Sequence, residues 1–229
     1  MPETGSPWPV PHPLAGAAWV GRRVALLGGS FNPAHDGHRT ISLLALKSLG
    51  VDQVWWLVTP QNPLKAARDI APLAARLTVA RRVAMDPRIR VTALEATLGT
   101  RYAVETLAAL RRRFPRTRFV WLIGADNLAQ LPRWRRWTKL MATVAIAVFN
   151  RAPYAISALH GQAALRYRRD RVSVRRARSI TKRSPPAWVF LPCRPHPASA
   201  TAIRRAAGTG WAGASSVSFQ SVSLRRISS

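Results

Sequence analysis

The 229-residue chain has one cysteine, few acidic side chains and no long apolar run. A single thiol, Cys193, excludes an internal disulfide and fits a reducing compartment. No apolar stretch approaches the roughly 18 residues of a membrane helix. No basic segment followed by an apolar one reads as a secretory leader, so a cytoplasmic protein is expected. Nine acidic residues stand against 36 Lys and Arg, giving a net charge of +27. With so few carboxylates, no paired acid and base and no nucleophile triad can be assembled from the motifs. The cation excess is spread along the chain and is not interleaved with aromatics. Specific nucleic-acid binding is therefore not expected, and the field is read as one that draws phosphate-bearing substrates.

What is present is an ordinary globular composition, 48% hydrophobic, and a length that suits one α/β domain. Residues 1–21 hold five prolines and little periodicity, and read as a disordered extension. Trp8 and Trp19 receive no role. Residues 22–207 read as the domain, and 208–229 as a Gly- and Ser-rich disordered tail. Strands are expected over 22–28, 54–58, 89–94, 119–123, 143–149 and 188–191. Helices are expected over 37–49 and 71–85 and after Thr100 and Ser199, while 154–183 stays unassigned. Short apolar runs alternating with helices predict a Rossmann-like, doubly wound, mainly parallel sheet with helices on both faces.

One stretch stands out: Gly28-Gly29-Ser30-Phe31-Asn32-Pro33-Ala34-His35-Asp36-Gly37-His38. It follows an apolar strand and opens a helix. In an open α/β sheet such a turn lies at the carboxyl end of a strand, where ligands bind. Gly28 and Gly29 can adopt φ > 0 and let a phosphate come close to the backbone. The helix N-terminus offers N–H groups and a partial positive charge. His35 and His38 share a face of the first turn and can donate to phosphate oxygens. An H-x-x-H pair could also be half of a metal site, but no Cys or acidic cluster stands near to complete it. No protein-held metal is expected.

This stretch resembles the nucleotidyltransferase signature G-x-F-[DN]-P-x-H-x-G-H, and later blocks resemble the bacterial nicotinate-nucleotide adenylyltransferases. The likeness covers roughly residues 22–207. It implies adenylyl transfer from ATP to nicotinate mononucleotide, giving deamido-NAD and pyrophosphate in NAD biosynthesis. It implies ATP binding by Gly28, Gly29, Ser30, Phe31, His35 and His38. Ala198-Ser199-Ala200-Thr201-Ala202-Ile203-Arg204 resembles the second signature, I-S-[ST]-T-x-[IV]-R, with Ala in place of Ile and of Ser/Thr. There Ser199 or Thr201 suits a helix N-cap, and Arg204 offers a fixed cationic fork to phosphate.

Further roles rest on the same likeness. Lys65, in a proline-flanked loop after the second strand, is expected to face the triphosphate or the second substrate. Tyr102 and Thr106 match the S-Y-T-x-[DQE]-T-L block that holds the nicotinate-bearing nucleotide, with Ala103 replacing its first Thr. Asp126 in Gly124-Ala125-Asp126-Asn127 suits ribose hydroxyls at a strand's carboxyl end. Trp134 suits stacking on the pyridine ring, with Trp137 packing, and Arg151 faces the adenylate side. His35, His38 and Arg204 are the expected catalytic residues. Mg²⁺ is expected to arrive on the ATP phosphates. The attacking phosphate is already ionised, so no general base is required. Rival readings are transfer to nicotinamide mononucleotide or phosphopantetheine, and RNA binding on the same fold. A homo-oligomer is left open.

Overall fold

The computed structural model describes residues 11–12, 16–60, 70–150, 155–193 and 200–207. Its strands are β1 (Arg23–Gly29), β2 (Gln53–Val58), β3 (Ile89–Thr92), β4 (Arg118–Gly124), β5 (Ala145–Phe149), β6 (Arg171–Val172) and β7 (Trp188–Leu191). Its α-helices are α1 (Asp36–Ser48), α2 (Leu73–Ala84), α3 (Leu94–Leu98), α4 (Ala103–Arg113), α5 (Ala125–Gln130), α6 (Trp137–Met141), α7 (Ala155–Leu159), α8 (Gln162–Arg166) and α9 (Ala200–Ala207). The sheet order is β3-β2-β1-β4-β5-β7-β6, and every pairing is parallel. The Rossmann-like, doubly wound class expected from the apolar runs is the one observed.

All six residues of β2 are buried, because a central parallel strand is covered on both faces. Its alternate side chains feed two cores. Trp55 and Leu57 join Leu26, Trp121 and Phe114 on one face, while Val54, Trp56 and Val58 join Ala25, Leu122 and Val189 on the other. Gly50, at φ +62, ends α1 in the left-handed conformation that glycine adopts without penalty.

The chain departs from its sequence reading in three places. The body begins before residue 22: Gly16–Trp19 forms a 3-10 turn, and Trp19 is fully buried. The Trp19 indole lies edge-on to Trp55 at 4.7 Å, and its carbonyl accepts the Thr117 hydroxyl at 2.8 Å. A proline-rich flank conceals one aromatic whose burial outweighs the ordering of a few residues. The expected strand 89–94 stops at Thr92, whose Oγ1 accepts the Leu94 N–H at 3.1 Å and starts α3. The unassigned stretch 154–183 contains α7, α8, the two-residue edge strand β6 and the 3-10 segment Val174–Lys182. Residues 208–229 lie outside the described residues. Among the described residues, no helix is long and apolar enough to cross a membrane.

Candidate active site

Strand order reverses between β1 and β4. The chain moves from β1 outward through β2 and β3, then returns to β4 on the other side of β1. Loops leaving the carboxyl ends of these neighbours diverge and open a crevice. The Ser30–His38 turn leaves β1 there. Asp126, on the first turn of α5, leaves β4.

The two glycines that precede the turn are not in it; both belong to β1, and neither has positive φ. A Cβ on Gly28 would lie 2.6 Å from the Trp121 ring, so Gly28 makes room for a core aromatic rather than for a phosphate. The left-handed residue is instead Phe31, at φ +45. Its ring is buried and stacks on Trp56 at 5.0 Å. That burial holds a conformation a non-glycine residue seldom adopts, and it removes the ring from contact with a nucleotide.

His35 is the N-cap of α1. Its Nδ1 accepts the Gly37 N–H at 3.1 Å, and the His38 Nδ1 accepts the His35 N–H at 3.2 Å. The ring centroids are 4.0 Å apart. An Nδ1 that accepts carries no proton, so both neutral rings are assigned the Nε2–H tautomer. The cap also changes the expected anion site: the Gly37 and His38 N–H groups are bonded to the His35 ring and carbonyl. Those two N–H groups are satisfied within the cap, while the helix dipole remains. Ser42 Oγ donates to the His38 carbonyl and accepts the Trp56 indole N–H, both at 2.8 Å, which seats α1 on β2.

The chain-distant Arg204, on α9, reaches the same turn. Its Nη1 donates to the Asn32 carbonyl at 2.5 Å, and its Nη2 lies 3.5 Å from Thr201 Oγ1. The two signatures therefore meet, 172 residues apart in sequence. Asn32 also accepts the Ala71 N–H on its Oδ1 at 3.2 Å, so one residue joins α9 to the entrance of α2.

On the β4 side, a Cβ at position 124 would fall on Asp126 Oδ1, which explains the glycine two residues before this carboxylate. Tyr102 is the N-cap of α4, with the Arg135 guanidinium 4.7 Å from its ring centroid. Arg135 pairs with Glu105 at 3.7 Å. Arg135 follows the half-buried Trp134 in the chain. Trp137 packs edge-on against Tyr167, the packing role expected for it.

Thr106 requires correction. It is fully buried, and its hydroxyl donates to Glu95 Oε1 at 3.1 Å and lies 2.9 Å from Thr100 Oγ1. It organises Glu95 rather than touching a ligand. Burial raises the Glu95 pKa, against hydrogen bonds from Thr59 and Thr106 that lower it. Lys65, Arg151 and Ser199 lie outside the described residues. Among the described residues, no three His, Cys, Asp or Glu side chains gather to hold a metal.

A family model described as cytidylyltransferase-like matches residues 26–206. A protein of Bradyrhizobium sp. (strain ORS 278), named a probable nicotinate-nucleotide adenylyltransferase, is 50% identical over 187 residues, 82% of this chain and 97% of its own. The chain belongs to the nicotinate-nucleotide adenylyltransferases. A relative of the same name from Cereibacter sphaeroides is 53% identical over 181 residues, 79% of this chain and 96% of its own. A solved nicotinic acid mononucleotide adenylyltransferase of Plasmodium falciparum, complexed with NaAD, aligns with a TM-score of 0.63. It covers 80% of this chain and 83% of that chain at 14% identity, so what the two share is the fold.

The signatures of this family include the two histidines, Asn32 and Arg204, but not Arg76 or Glu95. The partners of Asn32, Arg76 and Glu95 come from other segments of the chain, which a local pattern does not report.

Proposed function

We propose that the Ser30–His38 turn and Arg204 grip the phosphates of ATP while nicotinate mononucleotide lies on the Asp126 and Trp134 side of the crevice. The reaction is adenylyl transfer: a phosphate oxygen of nicotinate mononucleotide bonds to the α-phosphorus of ATP, and the bond to the pyrophosphate oxygen breaks. The products are deamido-NAD and pyrophosphate. The nucleophile is ionised at neutral pH, so the protein's task is alignment and charge neutralisation.

The observation that carries this reading is the pair of backbone N–H groups bonded to Nδ1 of the two rings. His35 and His38 each spend Nδ1 on the backbone, which makes Nε2–H the donor of each imidazole. Fixed donors aimed at developing phosphate charge stabilise a transition state without reorganising. Arg204 adds a permanent charge beside the same turn. Mg²⁺ is taken to arrive on the ATP phosphates, coordinated by phosphate oxygens and water as it prefers. Asp126 is assigned to ribose hydroxyls and Trp134 to the pyridine ring. We read the enzyme as cytoplasmic, since its single cysteine fits a reducing compartment.

Pyrophosphate release from ATP, measured side by side with nicotinate mononucleotide, nicotinamide mononucleotide and phosphopantetheine, tests the assignment. Release is expected to be fastest with nicotinate mononucleotide. Preference for phosphopantetheine, or no release with any acceptor, would overturn it.

A further inference from the structure

Arg76 sits on the first turn of α2 and is 1% exposed. It has no acidic partner among the described residues. Its hydrogen bonds all go to main-chain carbonyls: Nε to Ala71 at 2.8 Å, Nη1 to Ser30 and to Thr59 at 2.7 Å each, and Nη2 to Pro60 at 2.8 Å. Burial lowers its pKa, the only cause acting on it. An unneutralised guanidinium in the interior is costly, and a well-packed apolar side chain commonly serves stability as well or better. What an apolar residue cannot do is bind carbonyls from three separate segments at once.

Those segments are the ones that build the crevice. Ser30 begins the turn that ends in His35 and His38. Thr59 and Pro60 follow β2, the neighbour of β1. Ala71 precedes α2, and its N–H is held by Asn32, whose own carbonyl takes Arg204. The bonds run without a break from the end of β2, through Arg76, to the phosphate turn and on to α9. The planar fork fixes the spacing of these carbonyls, which a single ammonium cannot reproduce.

We propose that Arg76 is a positioning residue for adenylyl transfer: its fork sets the Ser30–His38 turn against the end of β2 and so holds the two imidazoles in line with Arg204. The inference rests on the assignment of that turn to ATP phosphates, and it adds a residue that need not touch substrate.

Arg76→Lys and the neutral Arg76→Met separate position from bulk stability. In each variant that folds by circular dichroism, turnover is expected to fall about 10- to 100-fold, as for misplacement of a catalytic group. KM for nicotinate mononucleotide is expected to stay within about 3-fold, because its side of the crevice is untouched by Arg76. Nitrogen-15 spectra of the histidine rings, recorded well below the melting temperature, should show the single Nε2–H tautomer of the native enzyme become mixed. A folded variant with turnover within about 3-fold of native and unchanged ring signals would overturn the proposal. A native-enzyme measurement covers variants that do not fold: the Arg76 Nε–H resonance should be protected from exchange and should shift when MgATP is added. An unshifted or rapidly exchanging signal would also overturn it. The ring spectra do not depend on turnover, so failure of the activity assignment and failure of this inference are read separately.

Discussion

Arg76 and the cations of residues 166–183 carry similar charge in opposite settings. Arg76 lies at the carboxyl ends of the strands, buried, with every bond directed at a named carbonyl. Residues 166–183 include Arg166, Arg168, Arg169, Arg171, Arg175, Arg176, Arg178, Lys182 and Arg183, and all nine are exposed. Several line a groove of about 410 Å³ with Asp170. It lies toward the amino ends of β6 and β7, because Arg171 and Val172 pair with Trp188 and Val189, the first residues of β7. The site lies at the other end of the sheet. One buried guanidinium ties three loops at the site, whereas among the exposed cations Arg166 and Arg171 only lie over neighbouring aromatic rings. The exposed set adds a field that attracts anions and fades over roughly 8 Å at physiological salt. Counting cations, as composition does, weights the second region far above the first.

The sharpest way to break this contrast is at the imidazoles. Replacing His38 or His35 with Ala should lower turnover by ~10²-fold or more, the size of losing a preorganised transition-state donor. His35→Ala should also destabilise the fold by about 1 kcal/mol, because it removes the α1 cap. Steady-state kinetics and urea unfolding measure the two effects. Near-native turnover in both variants would end the role assigned to the turn.

Two glycines on the site edge should behave differently. A Cβ at Gly28 meets the buried Trp121 ring, and Gly28→Ala should cost about 1–3 kcal/mol of stability through overpacking. At Gly124 the added methyl meets only the end of the Asp126 side chain, which can swing away. Gly124→Ala should therefore fold almost normally yet raise KM for nicotinate mononucleotide about 10-fold, as expected for loss of one charged hydrogen bond. Equal unfolding midpoints for the two variants would contradict this division.

Glu95 gives a smaller, pH-dependent effect. Burial raises its pKa above the ordinary 4.5, so the native state holds this proton to higher pH than the unfolded chain. The associated stability is fully present below pH 4.5 and is lost as pH rises through the folded value. Glu95→Gln should remove that decline from a series of melting temperatures. An unchanged slope would mean the carboxyl does not titrate as assigned.

The smallest effect belongs to the exposed edge. Arg175→Gln with Arg176→Gln should change stability by less than ~0.5 kcal/mol, as solvated surface positions do. Its effect on kcat/KM should be under about 2-fold at 0.15 M salt and should grow only as salt is lowered. A large loss at physiological salt would show that the edge contributes more than a field.

The legible parts of the molecule were those written in neighbouring residues. β2 could be read because Val54 to Val58 is one apolar run, and the end of α1 because Gly50 sits where a left-handed cap is needed. His35 and His38 could be read because their spacing puts both on one helical turn. Trp19 could not, since its partners Trp55 and Thr117 are distant in sequence. Gly28 was read as a phosphate glycine although its neighbour is Trp121 of β4. Thr106 carried the family's binding pattern yet spends its hydroxyl on Glu95. Lys65, Arg151 and Ser199 lie outside the described residues and stay as expectations.

Local order set the fold class, the strand-turn-helix entry and the chemistry of an anion site, since periodicity and turn chemistry act over a few residues. Only tertiary contact decided that Arg204 closes on the Asn32 carbonyl and that Arg76 ties the surrounding loops. Those outcomes depend on groups far apart in the chain meeting in a dry interior, where each polar atom must find a partner.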